Sequence, residues 1–222
     1  MGSIHSVNAR GSRQQIIAKV CAAAAEHSLF IIGIDGRSGA GKTTLAHEIA
    51  QQLLSELNAE EATHNRAESP VASCSVPSPP AIVTIEVEDY IRGWDRLVAD
   101  IPYLAVLLAE LRQNGYVWAR PWDWQANRPG PLRRLPQYGY AQRIIVVGSG
   151  AISAHLSTLL DCRIWLEASS DLRQSRVRYR DAYDWSAYWQ VWAQAEEQLR
   201  AESASDARAD YVLHTDEPET LP

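Results

Sequence analysis

The sequence predicts a three-layer α/β sandwich, in which helices cover both faces of a mainly parallel β-sheet. Two observations favour this fold class. Short apolar runs alternate with longer helical segments, and the first run leads through a glycine-rich stretch into a helix. We expect residues 1–222 to form a single domain, because a chain of which 46% is hydrophobic can bury a substantial core. Ligands of such sheets bind beyond the carboxyl ends of the strands.

The first third of the chain gives a helix, a strand and a second helix. Within residues 1–28, apolar positions in Arg13–His27 recur on one helical face, whereas Leu29–Asp35 is a continuous apolar run. Lys42–Leu57 carries an aliphatic residue at every fourth position, which predicts an amphipathic helix. From Asn58 to Pro80 the chain is polar and contains four prolines, which predicts an exposed and mobile excursion.

The rest of the chain continues the alternation of strands and helices. Ala81–Val87, Arg143–Val147 and Cys162–Glu167 are apolar runs that predict strands, with a helix between the last two. A long apolar helix over Leu97–Asn114 is expected to end at Gly115. The remaining predicted elements are a charged helix after Asp171 and an aromatic helix over Asp184–Arg200, both within residues 171–205, and a last strand over Asp210–His214.

Composition excludes several functional classes. A formal net charge of -6 argues against nucleic-acid and membrane partners, which usually require a basic surface. Cys21, Cys74 and Cys162 are too widely separated to indicate a zinc site or a disulfide framework. The longest aliphatic stretch, Leu104–Leu111, is far shorter than the ~20 residues that a bilayer requires. We therefore expect a cytoplasmic protein with a small-molecule partner, and association into a homo-oligomer stays open.

A phosphate-binding signature follows the first predicted strand. The stretch "GRSGAGKTT" matches G-x-x-x-x-G-K-[ST] between a strand and a helix, which is the context that a P-loop requires. Lys42 can bridge the β- and γ-phosphates, and the Thr43 hydroxyl can ligate Mg²⁺. The motif predicts a P-loop NTPase fold that uses ATP, since no guanine-reading N-K-x-D segment is visible. The expected nucleotide-binding residues are Gly36, Arg37, Ser38, Gly39, Ala40, Gly41, Lys42, Thr43 and Thr44.

Four motifs, in this order, resemble the uridine kinase family of P-loop phosphotransferases, and particularly its actinobacterial uridine-kinase-like branch. They are "GRSGAGKTT", "EDYIRGWDRL" after the second predicted strand, "RPWDWQANRPG" and "RVRYRD". The resemblance covers about Leu29 to His214, apart from the excursion. It implies transfer of a phosphoryl group from ATP to a small hydroxylated metabolite, such as a nucleoside, with Mg²⁺ as cofactor.

The resemblance also implies a catalytic carboxylate. In uridine kinases an aspartate just after the second strand takes the proton from the substrate hydroxyl, and Glu88 occupies that position, with Asp89 beside it. Glu88 would also help Thr43 to hold Mg²⁺. Because glutamate is longer by one methylene, the geometry of attack would have to adjust. The alternative is that Glu88 and Asp89 form a solvated acidic turn.

The resemblance also implies a role for the tryptophan-rich motif. The segment "WARPWDWQANRPG" has no regular hydrophobic period and is predicted to be a loop. The resemblance implies that Trp122, Asp123, Trp124 and Arg128 in this loop bind the acceptor; the alternative is that its tryptophans only pack the loop onto the sheet.

The motif "RVRYRD" places Arg176 and Arg180 on one helical face, which Arg173 extends. In the family, such arginines close over the phosphates and stabilise the transferred group; the alternative is a solvated basic helix. The tryptophans at positions 185, 189 and 192 follow at helical spacing, and we interpret this stripe as packing.

One position departs from the family pattern. The end of the third major predicted strand usually carries a Glu-Gly pair, whereas this chain has Val147 followed by Gly148. Valine cannot hold Mg²⁺, directly or through water. Asp35, Glu88 or Asp89 then replaces the missing acid, with Ser149 as a weak substitute, or transfer is slow or absent. The alternative function is a catalytically weak or inactive nucleotide-binding regulator.

Overall fold

A computed structural model describes residues 9–10, 12–67, 81–180 and 186–216, with side chains over 12–59, 82–180 and 186–216. The strands are β1 (Ala9–Arg10), β2 (Phe30–Gly36), β3 (Ala81–Glu86), β4 (Val117–Ala119), β5 (Trp122–Asp123), β6 (Arg128–Pro129), β7 (Arg133–Leu135), β8 (Ala141–Val147), β9 (Cys162–Glu167) and β10 (Tyr211–His214). The helices are α1 (Arg13–Ala25), α2 (Lys42–Ala67), α3 (Leu97–Asn114), α4 (Ala154–Ser157), α5 (Ser170–Arg180), α6 (Ser186–Ser203) and α7 (Ser205–Arg208), and Val87–Tyr90 forms a 3₁₀ turn.

Six strands form a parallel sheet in the order β1-β10-β9-β2-β8-β3. Strand β2 lies at its centre, paired with β8 on one side and with β9 on the other. Because the strands are parallel, the loops after β2, β3 and β8 meet at one edge. This architecture confirms the predicted α/β P-loop fold, and the candidate site lies at that edge.

The sheet separates two hydrophobic cores. Ile32 and Ile34 face the core that contains the buried residues of α1 and α2, whereas Ile31 faces the core that contains those of α3 and α6. The alternation follows from the strand period of two, which sends successive side chains to opposite faces. Each fully buried aliphatic side chain contributes about 1.5–3 kcal/mol of transfer free energy. No helix in the described ranges has an apolar stretch long enough to cross a bilayer.

The predicted elements agree closely with the observed ones in the sheet and in α3. Helix α3 has the predicted bounds and ends at Gly115, whose φ of 72° is the left-handed conformation that glycine favours. The predicted excursion from Asn58 is wrong at its start, because α2 continues to Ala67. Residues 68–80 lie outside the described part of the chain. The helix between β8 and β9 is a single turn, α4.

The segment predicted as a loop contains short antiparallel ribbons. Strand β4 pairs with β7, and β5 pairs with β6. Strands of two or three residues are too short to show a hydrophobic period, which explains why the sequence pattern did not reveal them. The ribbons carry the predicted acceptor motif.

Asp100, in the first turn of α3, holds the loop that precedes this helix. Its buried carboxylate accepts hydrogen bonds from the backbone N–H of Arg92 at 2.9 Å and from the guanidinium groups of Arg92 at 2.6 Å and Arg96 at 3.1 Å. Burial acts to raise the pKa of Asp100, but the hydrogen bonds outweigh it and the pKa is lowered. The fixed loop carries Trp94 toward the candidate site.

We expect Asp100→Asn to lower the free energy of unfolding by about 1–3 kcal/mol at neutral pH, because a charge-assisted network is lost. The lowered pKa means that this contribution is present above the unfolded pKa of about 3.9 and is lost as the pH falls through the folded pKa. Urea unfolding across pH 3 to 7 should therefore show the difference from wild type shrinking in acid. Asp95→Asn, at an exposed position of the same loop, is the control, and equal losses from both variants would contradict the assignment.

Candidate active site

The glycine-rich loop between β2 and α2 is built against the start of α5. Gly39 has a φ of 83°, and a Cβ at this position would collide with the backbone carbonyl of Arg173. Only glycine satisfies both constraints, so the loop can turn tightly and direct its N–H groups toward one point. The positive end of helix α2 lies at the same point. The loop has the geometry of an anion site.

Lys42 lies inside this loop and is largely buried. Its ammonium group donates to the backbone oxygen of Gly36 at 2.7 Å and contacts the hydroxyl of Ser149 at 3.4 Å. Ser149 belongs to the loop after β8. The lysine charge is therefore held at the centre of the predicted phosphate site, between two loops.

Asp35 connects the same two loops. Its buried carboxylate accepts hydrogen bonds from the backbone N–H groups of Gly36 at 2.7 Å, Gly150 at 2.9 Å and Ile152 at 3.1 Å. Burial raises the pKa of Asp35 to about 6, although these bonds and the charge of Lys42 oppose the shift. Both carboxylate oxygens are engaged, which disfavours the alternative that Asp35 replaces the missing acid as a magnesium ligand.

Glu88, the predicted catalytic base, packs against the loop after β8. Its carboxylate accepts a hydrogen bond from the backbone N–H of Ser149 at 3.4 Å, and it lies so close to Gly148 that a Cβ added there would overlap it. Burial raises the pKa of Glu88, and the charge of Glu196 acts in the same direction, whereas Lys42 lowers it. A carboxylate with a raised pKa beside the lysine is suited to accept a proton.

The two neighbouring acids are more exposed. Burial and the charge of Glu88 raise the pKa of Asp89, against an opposing effect of Arg133. Glu86, which the sequence analysis did not single out, lies opposite Val147 in the β3–β8 register and lines the same cavity. The sequence contained a signal for Glu86, because it is an acid at the end of a predicted strand. The strand period of two places its side chain on the same face of the sheet as that of its partner Val147.

One cavity of about 890 Å³ contains most of these groups. The P-loop forms one side, and Glu86 and Glu88 lie with Val147 and Gly148 at the ends of the strands. Arg176 and Arg180 line another side. The volume is in the range typical of small-molecule sites.

Tryptophans form the remaining wall, which we call the aromatic wall: Trp94, Trp124 and Trp192. Ring centroids are 5.0 Å apart for Trp94 and Trp124 and 5.8 Å apart for Trp94 and Trp192, and Tyr188 stacks behind Trp94 at 4.9 Å. The indole N–H of Trp124 donates to the backbone oxygen of Glu88 at 3.0 Å. Trp94 and Trp192 were missed as site residues. Trp192 is almost fully buried, as its predicted packing role requires, yet one edge reaches the cavity.

The other predicted acceptor residues lie in the β5–β6 ribbon, and only Trp124 of that set lines the cavity. The carboxylate of Asp123 accepts hydrogen bonds from the backbone N–H groups of Gln125 and Ala126 and so stabilises the turn between β5 and β6. Arg128 is exposed. The buried indole N–H of Trp122 has no hydrogen-bond partner within the described ranges. An acceptor-binding role for these three residues stays a prediction.

The arginine face of α5 packs onto the P-loop. Arg173 is buried, donates to the backbone oxygen of Ser38, and does not line the cavity. Arg176 donates to the backbone oxygens of Gly39 at 3.3 Å and Thr215 at 2.7 Å, and it lines the cavity with Arg180. Arg173 and Arg176 thus pack against the P-loop, whereas Arg180 is exposed, and a role of these arginines at the phosphates stays a prediction. Trp185 lies outside the described residues, and Trp189 packs against the core beside α3.

The oxygen donors fit a P-loop magnesium ion. Within the described ranges there is no group of three or more His, Cys, Asp or Glu that could hold a metal by itself. Thr43 and Glu88 both line the cavity, and hydroxyl and carboxylate oxygens are ligands that Mg²⁺ prefers. An ion here would take its other ligands from phosphate oxygens and water, as Mg²⁺ usually does in such sites.

Comparisons with known proteins agree with the fold. A family model described as magnesium chelatase, subunit ChlI, matches residues 6–81, which contain the P-loop but are less than half of the chain. No curated protein matches the sequence significantly.

Solved structures resemble nearly the whole chain. A possible uridine kinase from Bacillus stearothermophilus has 18% identity and a TM-score of 0.59 and covers 90% of this chain and 98% of its own. A candidate fructose transport system kinase from Silicibacter sp. TM1040 has 18% identity, a TM-score of 0.57 and coverages of 88% and 98%. YFH7 from Saccharomyces cerevisiae, described as a candidate P-loop kinase with a circular permutation, has 9% identity, a TM-score of 0.56 and coverages of 94% and 100%. These likenesses show the P-loop kinase fold.

The contact between Gly148 and Glu88 gives a prediction about stability. A Cβ at Gly148 would overlap the Glu88 carboxylate and lie 2.5 Å from the Cβ of Val87. Gly148→Ala should lower the free energy of unfolding by about 1–3 kcal/mol through overpacking, in addition to its backbone strain. Urea unfolding measures the loss.

Gly93→Ala is the matched control, because Gly93 also has a positive φ, of 128°, but its added Cβ would meet no atom closer than 3.6 Å. Combining Gly148→Ala with Glu88→Ala should recover part of the loss, since contacting residues couple by about 0.5–3 kcal/mol. Equal losses for the two glycine variants would show that the contact with Glu88 has no energetic weight.

Proposed function

We propose that this chain is an ATP-dependent phosphotransferase that acts on a small hydroxylated metabolite, such as a nucleoside. The observation that carries the proposal is that one cavity brings together the P-loop lysine, the half-buried carboxylate of Glu88 and the aromatic wall. A donor site, a candidate base and a surface for an organic acceptor are thus adjacent. The P-loop kinase fold of the structural neighbours supports the same conclusion.

The P-loop would bind ATP, the phosphoryl donor. Its N–H groups and Lys42 would hold the β- and γ-phosphates of ATP, with the γ-phosphate directed toward the ends of β3 and β8. Mg²⁺, when bound through Thr43 and Glu88, would neutralise charge on the phosphate oxygens. Arg176 and Arg180 lie where they can stabilise the charge on the transferred group.

Glu88 and the aromatic wall would bind the acceptor and orient its hydroxyl group. A flat or sugar-like ligand packed on the tryptophans would present a hydroxyl near Glu88, which can orient it and accept its proton. The hydroxyl oxygen then forms a bond to the γ-phosphorus while the bond to the β,γ-bridging oxygen breaks, and ADP leaves. Catalysis would rest on this positioning and on the surrounding cations. The assignment to an actinobacterial branch and a cytoplasmic location remain predictions, as does self-association.

A second candidate function is a nucleotide-binding regulator with little or no transfer. Val147 favours it, because an apolar side chain lines the cavity where related kinases are expected to carry an acid. The two functions differ in one observable property. A kinase consumes ATP faster when its acceptor is present, whereas a regulator binds ATP without such stimulation.

The deciding experiment is a screen of ATP consumption against a panel of nucleosides, sugars and other hydroxylated metabolites. Lys42→Ala is the control, because it removes the loop lysine and should abolish most nucleotide binding or turnover while the fold persists. Stimulation of the wild type, but not of Lys42→Ala, supports the kinase. ATP binding without stimulation by any member of the panel supports the regulator.

Glu88→Gln should reduce acceptor-dependent turnover by about 10²-fold or more, because the amide cannot accept the hydroxyl proton. The nucleotide should still bind, since the P-loop is unchanged and the amide oxygen of the new side chain can still ligate Mg²⁺. Steady-state kinetics with calorimetric measurement of ATP affinity checks both parts. Asp89→Asn is the control, and if that variant loses turnover while Glu88→Gln does not, the base is Asp89.

Val147→Glu should strengthen magnesium-dependent ATP binding by about tenfold, because it adds a carboxylate near the phosphates. Val147 is 2% exposed, so an unpaired charge will lower stability in the absence of ligand. Melting temperatures with and without ATP·Mg separate the two effects, because a ligand of the folded state raises the melting temperature by mass action. Val147→Gln controls for size, and an equal ligand-induced shift in both variants would show that the added charge does not reach Mg²⁺.

A further inference from the structure

Glu196 on α6 is a buried carboxylate to which the proposed reaction assigns no role. It is 6% exposed, and one of its oxygens accepts four hydrogen bonds. Two come from Ser38 of the P-loop, from the backbone N–H at 2.8 Å and from the hydroxyl at 2.7 Å. The others come from the hydroxyl of Ser149 at 2.6 Å and from the indole N–H of Trp192 at 3.1 Å. One carboxylate thus joins the P-loop, the loop after β8 and the aromatic wall.

The partners of Glu196 also contact the reaction groups. The Ser149 hydroxyl, which donates to Glu196, lies 3.4 Å from the ammonium of Lys42, and the Ser149 N–H donates to Glu88 at 3.4 Å. Ser149 therefore connects Glu196 to both the candidate phosphate ligand and the candidate base. Hydrogen bonds to an ionised carboxylate are stronger than those between neutral groups. The four donors also offset the free-energy cost of burying the charge of Glu196.

We propose that Glu196 is a positioning residue that fixes the P-loop through Ser38 and transmits the occupancy of the phosphate site to Trp192. Glu196 is not among the residues that line the cavity, whereas Ser38 and Trp192 are. It therefore acts through its partners. When a polyphosphate accepts hydrogen bonds from the N–H groups of the loop, Ser38 moves relative to Glu196. The displacement of the Glu196 carboxylate then changes the hydrogen bond that it accepts from the indole N–H of Trp192 in the aromatic wall. Its importance for catalysis rests on the proposed kinase function, but the linkage itself requires only phosphate binding.

The first test measures the affinity for inorganic pyrophosphate with Mg²⁺ by calorimetry. Glu196→Ala should weaken binding by about tenfold or more, because hydrogen bonds to a charged group that hold the loop are lost. Glu196→Gln should restore affinity to within about threefold of wild type, because its amide oxygen still accepts hydrogen bonds from Ser38. Glu202→Ala is the matched control, since Glu202 lies on the same helix, is exposed and bonds to Gln198.

The second test uses tryptophan emission, which a purely structural role of Glu196 would not affect. Saturating pyrophosphate·Mg should change the emission of the wild type and of Glu202→Ala. Trp192→Phe removes both the N–H donor and the emitting indole, so it should lose most of this change while binding pyrophosphate within about threefold of wild type, which identifies Trp192 as the source of the change. Glu196→Ala should lose the change even at saturation, and Glu196→Gln should retain it.

The proposal is overturned if folded Glu196→Ala binds pyrophosphate like the wild type, or if it keeps the full emission change. If Glu196→Ala does not fold, Trp192→Phe decides, because an emission change of wild-type size in that variant contradicts transmission through Trp192. A wild type that shows no emission change at saturation also contradicts it. Failure of the kinase proposal is distinct, since it appears as the absence of a stimulating acceptor and leaves the pyrophosphate measurements intact.

Discussion

The carboxylate of Asp35 holds together the two loops on which the rest of the site depends. Asp35 is the last residue but one of the central strand β2. Its carboxylate accepts hydrogen bonds from the N–H of Gly36 at the start of the P-loop and from those of Gly150 and Ile152 after β8. Burial raises its pKa to about 6, so its charge is maintained near neutral pH by these three donors and by Lys42. Lys42, Ser149 and Glu88 all occupy or contact the loops that Asp35 joins. Asp35 therefore helps to set their mutual distances, together with the hydrogen bonds that Glu196 accepts from Ser38 and Ser149.

Sequence patterns were sufficient where a long period or a constrained motif was present. Helix α3 shows its apolar face over many turns and ends at a glycine, so both of its bounds could be predicted. The P-loop could be recognised because its glycines are required by backbone conformation and by close approach to Arg173. Patterns were insufficient for β5 and β6, which are two residues long. They also could not show that α2 continues beyond Asn58, because that segment lacks an apolar face.

Trp192 and Glu196 were missed as site residues because tertiary packing brings them to the site. The stripe that contains Trp192 has the spacing of a packed helix, and most of that side chain is indeed buried. The edge of the Trp192 ring lies at the cavity only because α6 packs against Trp94 and Trp124. Glu196 is similar, since its role depends on Ser38 and Ser149, which are distant in sequence. A single sequence gives no means of predicting such contacts.

The charges around Lys42 indicate that a polyphosphate bound at the candidate site would need additional cations. Glu86 and Glu88 line the cavity, while Asp35 and Glu196 lie directly behind its loops. Burial already raises the pKa of Glu88, the charge of Glu196 adds to this shift, and a bound polyphosphate would bring further negative charge into the same space. One lysine cannot offset these charges. Arg176 and Arg180 supply two positive charges from α5, and Mg²⁺ would supply another. Because Val147 supplies no carboxylate, Thr43 and Glu88 would have to hold that Mg²⁺ together with phosphate oxygens and water.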